Sequence, residues 1–231
     1  IGSIDSAGSV NEEAGFAIVS YTGNETASTL KHGLSTVPQM IIVKGLISAR
    51  DWVVGQHTQG WTKSAYLNET NAFTNQTHWN NTAPTSSVFT IEGGSNSNVN
   101  TNNAAYIAYV FSERQGYSKF GSYVGTNAGA NGPFIYTGFK PGFVLIKDSS
   151  GANAWTIRDA KRNTFNPAIN FLMPDANDAE VTAGEAVDIL SNGFKIKANG
   201  GKVQDSGNTY IYMAFAEQPF VTSTGVPATA R

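Results

Sequence analysis

At 231 residues, with a formal net charge of −2 and only 14% charged residues, the chain lacks the basic footprint of a nucleic-acid or anionic-membrane binder. The absence of cysteine excludes disulfide staples, thiolate metal sites and cysteine nucleophiles together. The apolar runs are strand-sized, far below the ~20 residues needed to cross a bilayer as a helix.

Residues 1–14 (IGSIDSAGSVNEEA) have neither the basic start nor the apolar centre of a signal peptide and read as a linker from a preceding region. Short runs rich in Val, Ile, Tyr, Phe and Thr follow, separated by Gly, Asn, Ser and Asp clusters, with no helical period sustained over a helix length. The first half predicts strands over 16–21, 39–44, 52–55, 64–67, 88–92 and 105–112, and the second over 119–124, 143–147, 155–158, 171–173, 193–197 and 210–216. The closing stretch 221–231 (VTSTGVPATAR) is small and polar and reads as a C-terminal tail.

The two halves repeat each other. PQMIIVK (38–44) returns as PGFVLIK (141–147), Trp52 as Trp155, SYTG (20–23) as SYVG (122–125), and AYIAYVFSE (105–113) as TYIYMAFAE (209–217). Matched blocks in one order at a nearly constant offset predict a tandem duplication. The expected fold is therefore all-β: two tandem, internally duplicated β-sandwich (jelly-roll-like) domains over 15–115 and 116–220. Alternation in the last strand of each half places Ile107, Tyr109 and Phe111, and likewise Ile211, Met213 and Phe215, on one face, taken as core. The opposite face carries Tyr106, Tyr210 and Tyr212, which would need a neighbour to cover them.

No catalytic constellation stands out. The histidines His32, His57 and His78 show no metal-ligand spacing, and no nucleophile elbow, phosphate loop or dinucleotide fingerprint occurs. No cofactor and no metal is expected, and the acidic loop with Asp175, Asp178 and Glu180 reads as solvated. Glu113 and Glu217 end equivalent strands, and residues that both halves keep are expected to serve the fold, by bonds to loop amides in the case of these two. Function is expected in the unshared stretch between Gly55 and Thr82. There Trp61, His57, Tyr66 and Trp79 stand among Asn, Gln and Thr, as a saccharide surface of aromatic plates and amides requires. Of these, Trp61 is the expected exposed ring, whereas Trp79 and Phe73 read as core.

The blocks AGFAIVSYTG (14–23), HGL (32–34) with PQMIIVK (38–44), WNNTAPT (79–85), GYSKFGSY (116–123), GPFIYTGF (132–139), LSNGF (190–194) and AFAEQPF (214–220) resemble a duplicated β domain of tailed-bacteriophage virion proteins, mostly from marine phages. The resemblance implies a place at the C-terminal end of a tail fibre or other appendage, often with a laminin-G-like domain, at the virion surface. It implies a non-enzymatic module with other virion subunits as partners and a host-surface glycan as ligand, with no nucleic acid and no membrane span. A polysaccharide depolymerase and a ligand-free capsid decoration protein are the alternatives. A homotrimer is expected, with the C-terminal segment near the subunit contacts.

Overall fold

In the first half, runs of β-branched and aromatic residues bounded by turns form nine strands: β1 (Ser6–Asn11), β2 (Phe16–Thr22), β3 (Ser28–Lys31), β4 (Met40–Gly45), β5 (Val53–Gln56), β6 (Lys63–Tyr66), β7 (Thr74–Asn75), β8 (Val88–Ile91) and β9 (Ala105–Phe111). The second half adds β10 (Ser118–Val124), β11 (Phe134–Tyr136), β12 (Pro141–Asp148), β13 (Thr156–Asp159), β14 (Val187–Leu190), β15 (Gly193–Ile196) and β16 (Thr209–Ala216). These come from a computed structural model that describes residues 2–47, 49–94 and 98–218. The expected C-terminal tail, 221–231, lies outside the described residues.

The chain divides into two units, Ile1–Asn68 with Phe73–Glu113, and Glu69–Ala72 with Arg114–Arg231. In the first, a sheet of order β1-β2-β9-β4-β5-β6-β7 faces the pair β3-β8. In the second, β10-β16-β12-β13 faces β11-β15-β14. All of these pairings are antiparallel. Each unit is sandwich-like, with one continuous core: Leu30, Phe89 and Ile91 of the small sheet meet Val19, Ile41 and Val110 of the large one, and Ile135, Ile189 and Phe194 meet Val144, Ile146 and Ala214.

The strand succession β2-β9-β4-β5 has the same form as β10-β16-β12-β13, and the registers agree. Tyr21 pairs with Tyr106 and Lys44 with Ile107, as Tyr123 pairs with Tyr210 and Lys147 with Ile211. The tyrosine pairs stack at 5.2 Å and 13° in one unit and at 5.2 Å and 12° in the other. Tyr21 Oη donates to the Val99 carbonyl at 2.7 Å and Tyr123 Oη to that of Val203 at 2.8 Å. Tyr106 Oη accepts from Thr101 N–H at 3.0 Å, and Tyr210 Oη from Asp205 N–H at 2.7 Å. Burial holds the Tyr21 and Tyr123 phenols well above their ordinary range.

This arrangement reverses the expected core face in β9 and adds a second buried face in β16. Tyr106, Ala108 and Val110 point inward, while Ile107, Tyr109 and Phe111 are half-buried on the outer face. In β16 both faces are buried: Tyr210, Tyr212 and Ala214 join the sandwich core, Ile211 and Met213 are buried on the opposite face as expected, and only Phe215 departs, half-buried against Tyr117 and Phe143. Both faces are apolar, so bulk cannot orient the strand. The deciding contribution comes from hydroxyls that find backbone partners inside and need no outside cover.

Residues 6–11 also depart from expectation, since they form β1 on β2 rather than a linker. Their side chains are almost all exposed, so the strand is held by its backbone ladder and leaves no hydrophobic alternation to read. Strands β3, β7, β11 and β14, of two to four residues, are too short to show a period. The expected strand at 171–173 is reduced to isolated bridges, Ile157 with Leu172 and Phe171 with Val181.

Candidate functional site

The unshared stretch begins where β5 ends. Gln56 is buried, and its Oε1 accepts from Thr58 N–H at 2.8 Å and from Thr58 Oγ1 at 2.6 Å, which winds His57–Gln59 into a 3-10 turn. His57 faces solvent on that turn. The chain then reverses through Gly60 (φ 76°) and drives Trp61 inward.

Trp61 is only 8% exposed and Trp79 only 1%, and their rings meet edge to face at 5.4 Å. Both indoles lean on Gly55, where a Cβ would lie 2.6 Å from Trp79 and 2.7 Å from Trp61. The expected exposed plate at Trp61 is thus corrected: at the end of the sandwich the space over a glycine is large enough for two indoles, and burying them there is worth more than exposing one. Trp79 and Phe73 are core, as their apolar mass suggests. Tyr66 packs half-buried against this cluster and meets His78 edge to face at 5.9 Å. The structure therefore brings Trp61, Tyr66 and Trp79 into one cluster whose rings cannot serve as plates for a ligand, with His57 on its solvent-facing turn.

Behind the tryptophans stands a cluster that sequence reading missed. Ser64 Oγ lies 2.7 Å from His78 Nδ1, and His78 Nε2 lies 3.9 Å from Glu92 Oε1. Glu92 also accepts a hydrogen bond from Thr77 Oγ1. Burial lowers the His78 pKa, opposed by the charges of Glu92 and Asp51. The residue types are those of a nucleophile, base and orienting acid, but Ser64 is 1% exposed, and a nucleophile must meet its substrate. Its signal is tertiary: Ser64 comes from β6, His78 from the following loop and Glu92 from the end of β8.

Over this cluster Thr62, Asn75, Gln76, Thr77 and Asn81 surround an open hollow of about 610 Å³. Its lining residues carry amides and hydroxyls, able to donate and accept toward a polyhydroxylated ligand, beside apolar surface from the same side chains.

His32, by contrast, is buried, with Nδ1 accepting from Leu34 N–H at 3.1 Å and Nε2 3.1 Å from the Thr85 carbonyl. Burial lowers its pKa as well, opposed by the Thr85 bond. Its role is that of a turn clamp.

The second unit places charges at the corresponding positions. Lys147 is fully buried, and its Nζ donates to the carbonyls of Asp148 (2.7 Å), Asn153 (2.8 Å), Thr70 (2.9 Å) and Gly151 (3.2 Å). Thr70 belongs to the Glu69–Ala72 segment of the same unit. Burial pushes the Lys147 amine down to about 8, opposed by Asp148 and Asp175. Asp148 folds the adjoining loop, accepting from Ser150 and Gly151 N–H and from the Asn153 and Asn208 amides. Arg158 lies 4.8 Å over the Phe171 ring and donates to Thr156 Oγ1 and the Glu185 carbonyl. Glu217 ends β16 in ion pairs with Lys140 (2.6 Å) and Lys161 (3.1 Å), so its partners are lysines rather than the loop amides expected. Asp175 accepts from Trp155 N–H at 3.3 Å, and Glu180 from Arg162 and Asn170. Among the described residues no group of three or more His, Cys, Asp or Glu is placed to hold a metal ion, and no helix is long and apolar enough to cross a membrane.

No curated protein and no solved structure matches this chain. A family model does, over residues 1–219, a span that takes in both tyrosine pairs, the tryptophan cluster and the buried lysine. The chain belongs to the family described as Domain of unknown function (DUF7483).

Proposed function

We propose that this chain is a non-enzymatic module of a tailed-phage virion appendage, a tail fibre or similar structure at the virion surface, that contacts a host-surface glycan. The observation that carries the glycan reading is the hollow of Thr62, Asn75, Gln76, Thr77 and Asn81, seated on an insertion braced by Trp61 and Trp79. Rigid aromatic footing beneath exposed amides holds hydrogen-bonding groups in place without an entropic cost at binding. The sealed position of Ser64 favours binding over cleavage by that cluster. The matching strand order and tyrosine registers of the two units support reading them as a tandem duplication. Assembly with other virion subunits, as a homotrimer, rests on the phage resemblance alone, because Tyr106, Tyr210 and Tyr212 are covered within their own units.

A glycan array read together with a reducing-sugar assay on host capsule or lipopolysaccharide tests the proposal. Retention of a glycan without new reducing ends, weakened about tenfold in Asn75→Ala/Asn81→Ala, is the expected result. Release of reducing ends would replace it with the depolymerase reading, and absence of both signals with the ligand-free decoration reading. Light scattering of the parent protein tests the trimer, which a stable monomer at micromolar concentration would refute.

A further inference from the structure

The second unit carries the features of a saccharide platform of its own. The sheet β11-β15-β14 turns Ile135, Phe194 and Ile196 into the core, which leaves the alternate residues of β11 outward. Phe134 is 47% exposed and Tyr136 61%. Among the described residues neither ring stacks on another aromatic. Cross-strand register sets Phe134 opposite Lys195 and Tyr136 opposite Gly193, and these in turn opposite Asp188 and Leu190. A side chain at Gly193 would meet the Phe134 ring at 3.1 Å, and the Tyr136 hydroxyl would lie 3.5 Å from a Cβ at Gly138. Both rings therefore rest beside glycines, and the ground around them stays open.

The charges on this face are unevenly committed. Asp188 lies 3.8 Å from Lys197. Lys195 is in register beside Phe134, and its side chain makes no ion pair or hydrogen bond among the described residues. Two aromatic plates with one uncommitted ammonium are complementary to a ring that has an apolar face and a negative group.

We infer that the outer face of β11-β15-β14 is a binding site for a carboxylate-bearing saccharide, whose apolar pyranose faces stack on Phe134 and Tyr136 while its carboxylate meets Lys195 Nζ. The inference rests on the glycan-binding reading of the chain but assigns a second site, in the other unit, and a charge class to the ligand. Neither ring belongs to the amide-lined hollow, so the two sites answer to different substitutions.

The test is a calorimetric titration of the full chain with oligogalacturonate, using a neutral malto-oligosaccharide as control, for wild type, Phe134→Ala/Tyr136→Ala, Lys195→Gln and Asn75→Ala/Asn81→Ala. The aromatic double substitution is expected to weaken oligogalacturonate binding at least about tenfold. Lys195→Gln is expected to weaken it severalfold and to flatten its salt dependence. Asn75→Ala/Asn81→Ala, which alters the hollow of the other unit, should remove less of the oligogalacturonate binding than the aromatic double substitution does, and the neutral sugar should bind more weakly than the acidic one. Because Phe134 and Tyr136 are exposed and Lys195 is only half-buried, an unchanged unfolding midpoint read from tryptophan fluorescence shows that a loss of binding is not a loss of fold. Oligogalacturonate binding that survives the aromatic substitutions, or equal binding of neutral and acidic sugars, overturns the inference. If only the Asn75/Asn81 variant loses binding, this site is refuted while the glycan reading stands. If wild type retains no saccharide in either assay, both fall.

Discussion

The two units solve one packing problem in two ways. In each, the fourth strand of the shared succession carries a residue at the same register, Gly55 opposite Ile41 and Arg158 opposite Val144. In the first unit two indoles fill the space over the glycine. In the second a guanidinium fills it, capped by the Phe171 ring and tied to the Glu185 carbonyl. The lysine that ends the preceding run differs as well. Lys44 reaches the Arg50 carbonyl and the Trp52 ring at a half-buried site, whereas Lys147 is fully buried among four carbonyls. One backbone frame thus accepts an aromatic plug or a buried charge network. The frame is held by hydrogen bonds that both units share, and the filling is a local choice.

Substitutions that probe the filling should have the largest effects. Trp79→Ala empties the plug and is expected to cost about 3–5 kcal/mol, as for buried aromatic truncation, with urea unfolding followed by the remaining tryptophans. A loss below ~1 kcal/mol would mean that the indole is not part of the core.

Lys147→Met keeps the volume but strands four carbonyl oxygens and Asp148 without their cation. A loss on the order of 3–5 kcal/mol is expected in the unit reported by Trp155. If Lys147→Met proves neutral while Trp79→Ala does not, the charge network is dispensable and the comparison loses one of its arms.

Gly55→Ala forces a methyl into both indoles and should cost about 1–3 kcal/mol by overpacking. The frame itself is probed by Tyr106→Phe and Tyr210→Phe, each of which strands the backbone N–H that the hydroxyl serves. Equal losses of about 1–2 kcal/mol are expected, and unequal ones would show that the two frames are not energetically alike.

The smallest and most diagnostic effect is on pH. The folded Lys147 amine titrates at about 8 against its ordinary 10.5. Between these values the unfolded chain binds more protons, so stability of the second unit should rise with pH across that window. The phenols of Tyr123 and Tyr210 are raised, so the trend should reverse above about pH 10, the ordinary tyrosine value. In the first unit the lowered His32 and His78 make the unfolded chain the better proton binder at and below 6.5. Stability there should fall as pH drops through that value, and His78→Gln should shrink the fall. Denaturant midpoints at a series of pH values, read in Trp155→Phe for the first unit and from the difference between wild type and Trp155→Phe for the second, check both signs.

The sequence by itself determined the all-β class, all six expected strands of the first half and five of the six in the second, and the inner placement of Trp79 and Phe73, because period-two runs and apolar mass are local properties of the chain. Repetition also pointed to the frame, since the residues kept in both halves are those that make the tyrosine pairs. It could not say which face of β9 and β16 turns inward: both faces are apolar, and the choice depends on distant carbonyls such as those of Val99 and Val203 that anchor the stacked tyrosine network. Nor could it reveal β1, whose small exposed residues pair through backbone alone. Trp61 looked like a ligand plate because it stands between a glycine and a threonine, and only the close approach of two indoles to Gly55 explains its burial. The Ser64–His78–Glu92 cluster and the carbonyl nest of Lys147 were likewise decided in three dimensions. Desolvation and hydrogen bonding depend on which groups the fold brings within about 3 Å, and that distance has no counterpart along the chain.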